Sequence, residues 1–105
     1  MAGIIQPLYI DYILQDMSNR ISQALVNIGG QLVPYPIHNT VFSGKTFRKY
    51  VYIKETEAIS KQILGASLLD TSGNTLANQA LNVVKNDKGF LIGFEFGVEV
   101  KASGV

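Results

Sequence analysis

A regular alternation near the C-terminus constrains the fold of this chain more than any other feature. One parity is apolar and holds Phe90, Ile92, Phe94, Phe96, Val98 and Val100. The other parity is mostly small or charged and holds Gly93, Glu95, Gly97, Glu99 and Lys101. A period of two over this length is typical of a β-strand with one face in a core and the other toward water or a partner. The chain therefore contains a sheet with a covered face.

Two turn sequences divide the stretch 59–100 into three strands. Asp-Thr-Ser-Gly-Asn lies at 70–74, and Asn-Asp-Lys-Gly lies at 86–89. Because such sequences are typical of tight connections, we expect Gly73 and Gly89 to adopt positive φ. The sequence thus predicts an antiparallel meander on which the rest of the chain packs.

The first two strands of this meander differ in pattern. Residues 63–69 are apolar on both parities, which predicts a central strand buried on both faces. In the next strand one parity holds Leu76, Ala80 and Val84, and the other holds Ala77, Leu81 and Val83. A β-bulge would account for this change of parity.

The N-terminal region has helical periodicity. Its apolar residues recur at alternating spacings of four and three, at Ile10, Leu14, Met17, Ile21, Ala24 and Ile28. This spacing predicts an amphipathic helix over about 8–28. Pro7 suits the first helical turn, and Gly29 suits the C′ position that ends a helix. We expect the helix to pack across the sheet; a self-associating helix in a short bundle is the alternative.

Two further strands are predicted between the helix and the meander. Residues 31–39 include Pro34 and Pro36, which cannot donate ladder hydrogen bonds, so the segment is an edge strand or a connector. Residues 46–54 alternate, with Phe47, Val51 and Ile53 on one face and Arg48, Tyr50, Tyr52 and Lys54 on the other. This pattern predicts a strand with one covered face.

Together these elements predict an α+β fold in a single domain spanning 1–105. An N-terminal amphipathic helix is followed by an antiparallel β-sheet or small β-sandwich over about 31–101. The length of 105 residues suits one domain and is too short for two ordinary ones.

Composition narrows the classes of function. Only 16% of the residues are charged while 47% are hydrophobic, so we expect part of the surface to be covered in a homo-oligomer. A net charge of +1 does not favour binding to nucleic acid or to an anionic membrane. The lack of cysteine excludes disulfides and thiolate metal sites. No apolar run reaches the ~20 residues of a membrane helix and no secretory signal is evident, which predicts synthesis in the cytosol.

The sequence shows no constellation of reactive residues. His38 is the only histidine, so neither a catalytic triad nor a histidine-rich metal site is predicted. Glu95 and Glu99 lie about 13 Å apart by strand rise, farther than the paired carboxylates of a glycosidase. We therefore expect no enzymatic activity, no catalytic residue, no metal and no cofactor. A small enzyme would need a pocket that gathers His38 with Glu55 or Glu57.

The candidate functional surface combines aromatic, basic and apolar residues. Tyrosine and arginine are enriched at protein interfaces, and one strand face places two tyrosines beside an arginine. The outer face of the predicted helix adds apolar residues to this surface. The predicted interface residues are Ile13, Met17, Leu25, Arg48, Tyr50 and Tyr52. Stacking of the tyrosines on a sugar is the alternative.

Three segments of the C-terminal half carry a resemblance to known proteins. They read Lys-Tyr-Val-Tyr at 49–52, Ile-Leu-Gly-Ala-Ser-Leu-Leu-Asp-Thr-Ser-Gly-Asn-Thr-Leu-Ala at 63–77 and Lys-Asn-Asp-Lys-Gly-Phe-Leu-Ile-Gly-Phe-Glu-Phe at 85–96. This pattern resembles segments of small tail-fibre and baseplate structural proteins from long-tailed phages and prophages of Gram-positive bacteria. The order of a helix and then a β-sandwich is also similar to the shoulder domain of receptor-binding proteins from such phages.

The resemblance implies a non-enzymatic structural component of a phage tail or adsorption apparatus. Such a component acts by self-association and by docking on other phage tail proteins, is made in the host cytoplasm and joins the virion. It implies no catalytic residue and no cofactor. The alternative function is a carbohydrate-binding module that recognises host cell-surface glycan through Tyr50 and Tyr52.

Overall fold

The computed structural model describes residues 7–98 of the chain, which form one helix followed by seven strands. The elements are α1 (Pro7–Arg20), β1 (Gln23–Ile28), β2 (Gln31–Pro36), β3 (Asn39–Ser43), β4 (Thr46–Ile53), β5 (Gln62–Leu69), β6 (Thr75–Val84) and β7 (Phe90–Gly97). The predicted α+β class, with the helix first and antiparallel strands after it, is confirmed. Glu99, Val100 and Lys101, which the sequence assigns to the last strand, lie outside the described residues.

The strands form two antiparallel sheets. Sheet A has the order β2-β1-β5-β6, and sheet B has the order β3-β4-β7. The predicted meander is therefore wrong, because β6 pairs with β5 while β7 pairs with β4. Dividing the strands between two sheets lets both sheets contribute apolar residues to one β-sandwich-like core, which a single open sheet would leave exposed to water.

The helix is shorter than the predicted 8–28. It ends at Arg20, and Gln23–Ile28 form β1. Ala24 and Ile28 are four residues apart, a spacing that fits one helix face and also one strand face. Val26 decides between them, because it is buried with the other two at a period of two. Pairing of β1 with both β2 and β5 overrides the helical pattern.

Glycines at two connections have roles other than those predicted. Gly29 and Gly30 have φ of +61° and +95° and form the turn of the β1–β2 hairpin, so Gly29 does not end the helix. Gly73, with φ of +83°, confirms the predicted turn before β6. Gly89 lies outside the positive-φ region. Gly89 instead leaves room for Tyr52, because a Cβ at Gly89 would overlap the Tyr52 ring in its present position.

The remaining strand predictions are confirmed in part. β2 lies at an edge of sheet A and β5 lies inside it, as predicted. Burial of β5 on both faces is wrong, because Leu64 is exposed and Gly65 and Ser67 are only half-buried. Register shifts in the β5–β6 ladder confirm an irregularity in this pair, although in β6 itself only one parity is partly buried.

One hydrophobic core joins the helix and both sheets. Sheet A contributes inward residues from β1 and β5, sheet B contributes them from β4 and β7, and the helix adds two. The buried members are Ile10, Leu14, Ile21, Ala24, Val26, Ile28, Phe47, Val51, Ile53, Ile63, Ala66, Leu68, Ile92 and Phe94. The outer faces of the two sheets are left to water or to partners.

Candidate functional site

The outer face of sheet B carries the aromatic and basic residues that the sequence places together. β4 buries Phe47, Val51 and Ile53, and this alternation directs Arg48, Tyr50 and Tyr52 outward, as predicted. We call these three residues the tyrosine face. Arg48 is opposite Glu95 of β7, and its Nε donates to Glu95 Oε1 at 2.7 Å. Both side chains are more than half exposed, so the pair contributes little to stability.

The rings of Tyr50 and Tyr52 each pack over a glycine of the same chain. Tyr50 is opposite Gly93, where an added Cβ would lie 3.1 Å from Tyr50 Cε1. The ring of Tyr52 occupies the corresponding space over Gly89. A ring that covers a strand glycine replaces the packing that the missing side chain would provide. Part of the role of both tyrosines is therefore to stabilise sheet B itself.

A cleft opens beside Tyr52, where β2 of sheet A meets the end of β4. Its volume is about 320 Å³, near the lower end of the range for small-molecule sites. The lining residues are Val33, Pro34, Tyr35, Pro36, His38, Tyr52, Lys54 and Glu57. Aromatic rings therefore come from both sheets, and one cation and one carboxylate stand at the cleft.

Hydrogen bonds hold the polar groups of the cleft in place. The main-chain N–H of His38 donates to Tyr50 O at 2.8 Å. The centroid of its imidazole ring lies 5.2 Å from that of the Tyr52 ring, at an interplanar angle of 34°. Glu57 Oε1 accepts from the Lys54 N–H at 3.2 Å. Burial raises the pKa of Tyr35, and the charge of Glu57 raises it further. A hydrogen bond from the Tyr35 hydroxyl to the Glu57 carboxylate acts on this pKa in the same direction.

The cleft does gather His38 with Glu57, the placement that a small enzyme would need. The nearby carboxylates are engaged elsewhere, since Glu55 accepts from Tyr52 Oη at 3.2 Å and Glu57 accepts from the main chain. Neither a serine, a threonine nor a cysteine is among the lining residues within 7–98. In that same range no cluster of three or more His, Cys, Asp or Glu residues could hold a metal ion. The groups present suit stacking and hydrogen bonding.

The six predicted interface residues fall on three surfaces. Ile13 and Met17 are half-buried on α1, and Met17 packs against the core. Leu25 was assigned to the helix, but it belongs to β1 and lies on the outer face of sheet A, opposite Pro34 and Ser67. Ile13 and Met17 share the surface of α1, and Arg48, Tyr50 and Tyr52 share the tyrosine face.

Sheet A presents a surface that the predicted residues do not describe. Its four strands contain no aspartate, glutamate, lysine, arginine or histidine. Two rows of neutral side chains cross its outer face: Pro34, Leu25, Ser67 and Asn78 in one, and Leu32, Asn27, Gly65 and Ala80 in the other. Leu32 is 61% exposed. The sequence does hold the signal, because 21–44 and 71–84 contain no Asp, Glu, Lys or Arg.

Two buried lysines have structural rather than surface positions. Lys49 points inward from β4, and desolvation lowers its pKa. Lys85 is 2% exposed, and its Nζ donates to Asn86 O at 3.0 Å and to Glu55 O at 3.4 Å. Its main chain also bonds Lys61 and Ser60, and Ser60 is held at positive φ, as is Ala58 in the same loop. Lys85 therefore fixes the strained loop 54–61 to the end of β6.

Comparisons with known proteins do not assign this chain to a family. A scan against protein-family models found no match, and searches of curated proteins and of solved structures found none either. Within 7–98, the one helix is too short and too polar to cross a membrane.

Proposed function

We propose that this chain is a non-enzymatic structural subunit that acts by self-association and by docking on neighbouring subunits. One observation carries the proposal: a whole four-stranded sheet is free of charge while its outer face and one of its edges are exposed. Charged side chains on exposed strands keep β proteins apart in solution. Sheet B carries such residues on its outer face in Arg48 and Glu95, and sheet A carries none.

Burial of this neutral surface favours association. Covering apolar area contributes a free energy of roughly 25 cal/mol per Å² to association. Neutral amides and small side chains can face a partner at a lower desolvation cost than charged groups. The homo-oligomer proposed from composition therefore has a surface that suits it. The tyrosine face remains available for a second, different neighbour, since Tyr and Arg suit interfaces.

The setting that fits this role is a phage tail or adsorption apparatus. The support is the resemblance of 49–52, 63–77 and 85–96 to segments of tail-fibre and baseplate proteins. In this setting the tyrosine face docks on other phage tail proteins. The subunit is made in the host cytoplasm and then assembled into the virion.

Light scattering of the purified chain over a concentration series tests the proposal. We expect a mass above the 11.5 kDa of one chain at the higher concentrations. Arg48→Ala should leave this mass unchanged, because the proposal assigns the tyrosine face to a different partner and the exposed Arg48–Glu95 pair contributes little to stability. A charge at Met17 is a poor probe, because Met17 packs on the core and its substitution would destabilise the fold. A monomer at every concentration would overturn self-association.

A second candidate function is binding of cell-surface carbohydrate, favoured by the cleft. Aromatic rings of Tyr35 and Tyr52 stand there with hydroxyl, ammonium and carboxylate groups, and this mixture can bind a sugar ring and its hydroxyls. Tyr50, which the sequence pairs with Tyr52 for this role, is not among the lining residues. The candidate site therefore shifts from the tyrosine face to the cleft.

A glycan array followed by titration of the best-binding sugar tests this candidate. Tyr35→Ala should weaken binding roughly tenfold, the loss expected for one aromatic contact of about 1.4 kcal/mol. Tyr9→Ala is the matched control, because Tyr9 is an exposed tyrosine on α1, away from the cleft. Equal binding by the Tyr35 variant and the wild type, or no binding at all, would remove the cleft from consideration.

A further inference from the structure

The edges of the two sheets are protected to very different degrees. An unpaired edge strand exposes N–H and C=O groups that can pair with another chain, and proteins block it with proline, with charge or by keeping it short. In sheet A, β2 carries Pro34 and Pro36. In sheet B, β3 has 5 residues and β7 carries the charged Glu95. Three of the four edges thus have a recognised protection.

The fourth edge, β6, has neither proline nor charge along its 10 residues, Thr75–Val84, and its two irregularities lie toward its ends, outside Ala77–Ala80. Among residues 7–98, β5 is the only strand bonded to it, so within that range alternate main-chain groups of β6 face away from the sheet without a strand partner. Leu76 and Val84, near its two ends, are 44% and 66% exposed. A strand of this length and neutrality at an edge is suited to pairing with another strand.

We propose that β6 pairs antiparallel with β6 of a second copy of this chain, across a two-fold axis perpendicular to sheet A. The two four-stranded sheets then become one continuous sheet. This inference rests on the proposed self-association and names the surface through which it occurs. It also differs from the six interface residues that the sequence suggested, none of which lies on β6.

The partner is a second copy because β6 matches itself. The two-fold axis places residues of equal parity opposite each other, so the half-buried residues Ala77 and Leu81 stay on the core side in both copies. Opposing strands without charge have no like-charge repulsion to overcome. A partner recognised by charge would find no complementary group on this edge.

The centre of the pairing is set by the regular part of β6. The β5–β6 ladder shifts register at Ile63/Gly65 and again at Leu68/Leu69. Between these shifts Ala77–Ala80 pairs regularly, and this stretch lies at the middle of the strand. Because a two-fold contact uses the β6 edge of both copies and the other edges are protected, association closes at two chains rather than growing into a fibre.

Two oppositely charged variants of β6 test the inference. Asn78→Lys/Ala80→Lys and Asn78→Glu/Ala80→Glu alter exposed positions on the outer face, so both should fold, which circular dichroism checks. Each variant alone should raise the dimer dissociation constant roughly tenfold or more, because like charges oppose each other across the two-fold axis. An equimolar mixture of the two should dimerise again, because Lys then opposes Glu.

Leu32→Lys is the matched control. Leu32 lies in the same outer-face row as Ala80 but on the opposite edge of the sheet, so its charge should leave the dimer intact. If Leu32→Lys disperses the dimer as strongly as the β6 variants, copies associate through the outer face and edge pairing is overturned. A wild-type dimer that neither β6 variant weakens also overturns β6 pairing while self-association stands. A monomeric wild type overturns both.

Discussion

The two edge strands of sheet A occupy equivalent places in the fold and have opposite properties. β2 presents two prolines of the same parity, and its free side borders the aromatic cleft. β6 presents main-chain donors and acceptors without proline or charge, and its middle stretch Ala77–Ala80 is regular. β2 is thus closed to further strands, whereas β6 has no proline or charge that would exclude one. The comparison shows how prolines at one edge of a sheet can confine strand pairing to the other edge.

The largest effect should come from removing the protection of β2. Pro34→Thr/Pro36→Thr restores two N–H donors and leaves two open edges on one sheet. Because each chain could then pair on both sides, we expect open-ended association, with a mass that keeps rising with concentration in light scattering. The same change in the Asn78→Lys/Ala80→Lys protein should stop at dimers. A double proline variant that keeps the wild-type mass would show that the prolines do not control this edge.

A smaller effect is expected at Lys85, which fixes the loop 54–61 to the end of β6. Lys85→Met removes the donor to Asn86 O and Glu55 O, and it should destabilise the fold by about 1–3 kcal/mol because those carbonyls lose their partner. Urea unfolding at one fixed protein concentration measures this change. Lys61→Met is the control, because Lys61 is exposed in the adjoining loop. Equal stability of the two variants would contradict the anchoring role.

The smallest effect concerns Asp70, in the turn that leads into β6. A backbone hydrogen bond from Asn74, then a bond from its side chain, lowers the pKa of Asp70 from its ordinary value of 3.8. Since the folded pKa is the lower one, the stabilisation is fully present above pH 3.8 and is lost as pH falls through the folded pKa.

Asp70→Ala should therefore lower the free energy of unfolding slightly at neutral pH, and its difference from the wild type should shrink as the solution is acidified below pH 3.8. Urea unfolding at a series of pH values measures the difference. Asp87→Ala, in the connection between β6 and β7, is the control. A difference that does not change with pH would show that the Asp70 charge does not stabilise the turn.

Sequence patterns predict the local features of this fold well. The alternation in 46–53 and 90–97 correctly assigns the inward and outward faces of β4 and β7, because successive side chains of a strand point to opposite faces of the sheet. The prolines correctly place β2 at an edge. The helix fails beyond Arg20, where the spacing of Ala24 and Ile28 fits two periods and only pairing with β2 and β5 decides.

Features that depend on strand order are beyond these patterns. The sequence predicts β6 inside a meander, so its free edge follows only from the separation of β6 and β7 into two sheets. The cleft likewise joins Tyr35 of one sheet to Tyr52 of the other, residues that no local pattern connects. The sequence shows that 21–44 and 71–84 lack charge, but it does not show that strands from both segments lie in one sheet.

Hydrogen–deuterium exchange at low and high protein concentration distinguishes a paired β6 edge from a free one. Amides of β6 that face away from β5 exchange rapidly in a single chain and become protected when a second β6 pairs with them. We predict that peptides covering Thr75–Val84 gain protection as concentration rises while peptides covering Gln31–Pro36 do not. Protection of β6 that is independent of concentration in a sample that dimerises, or an equal gain in β2, would contradict the account.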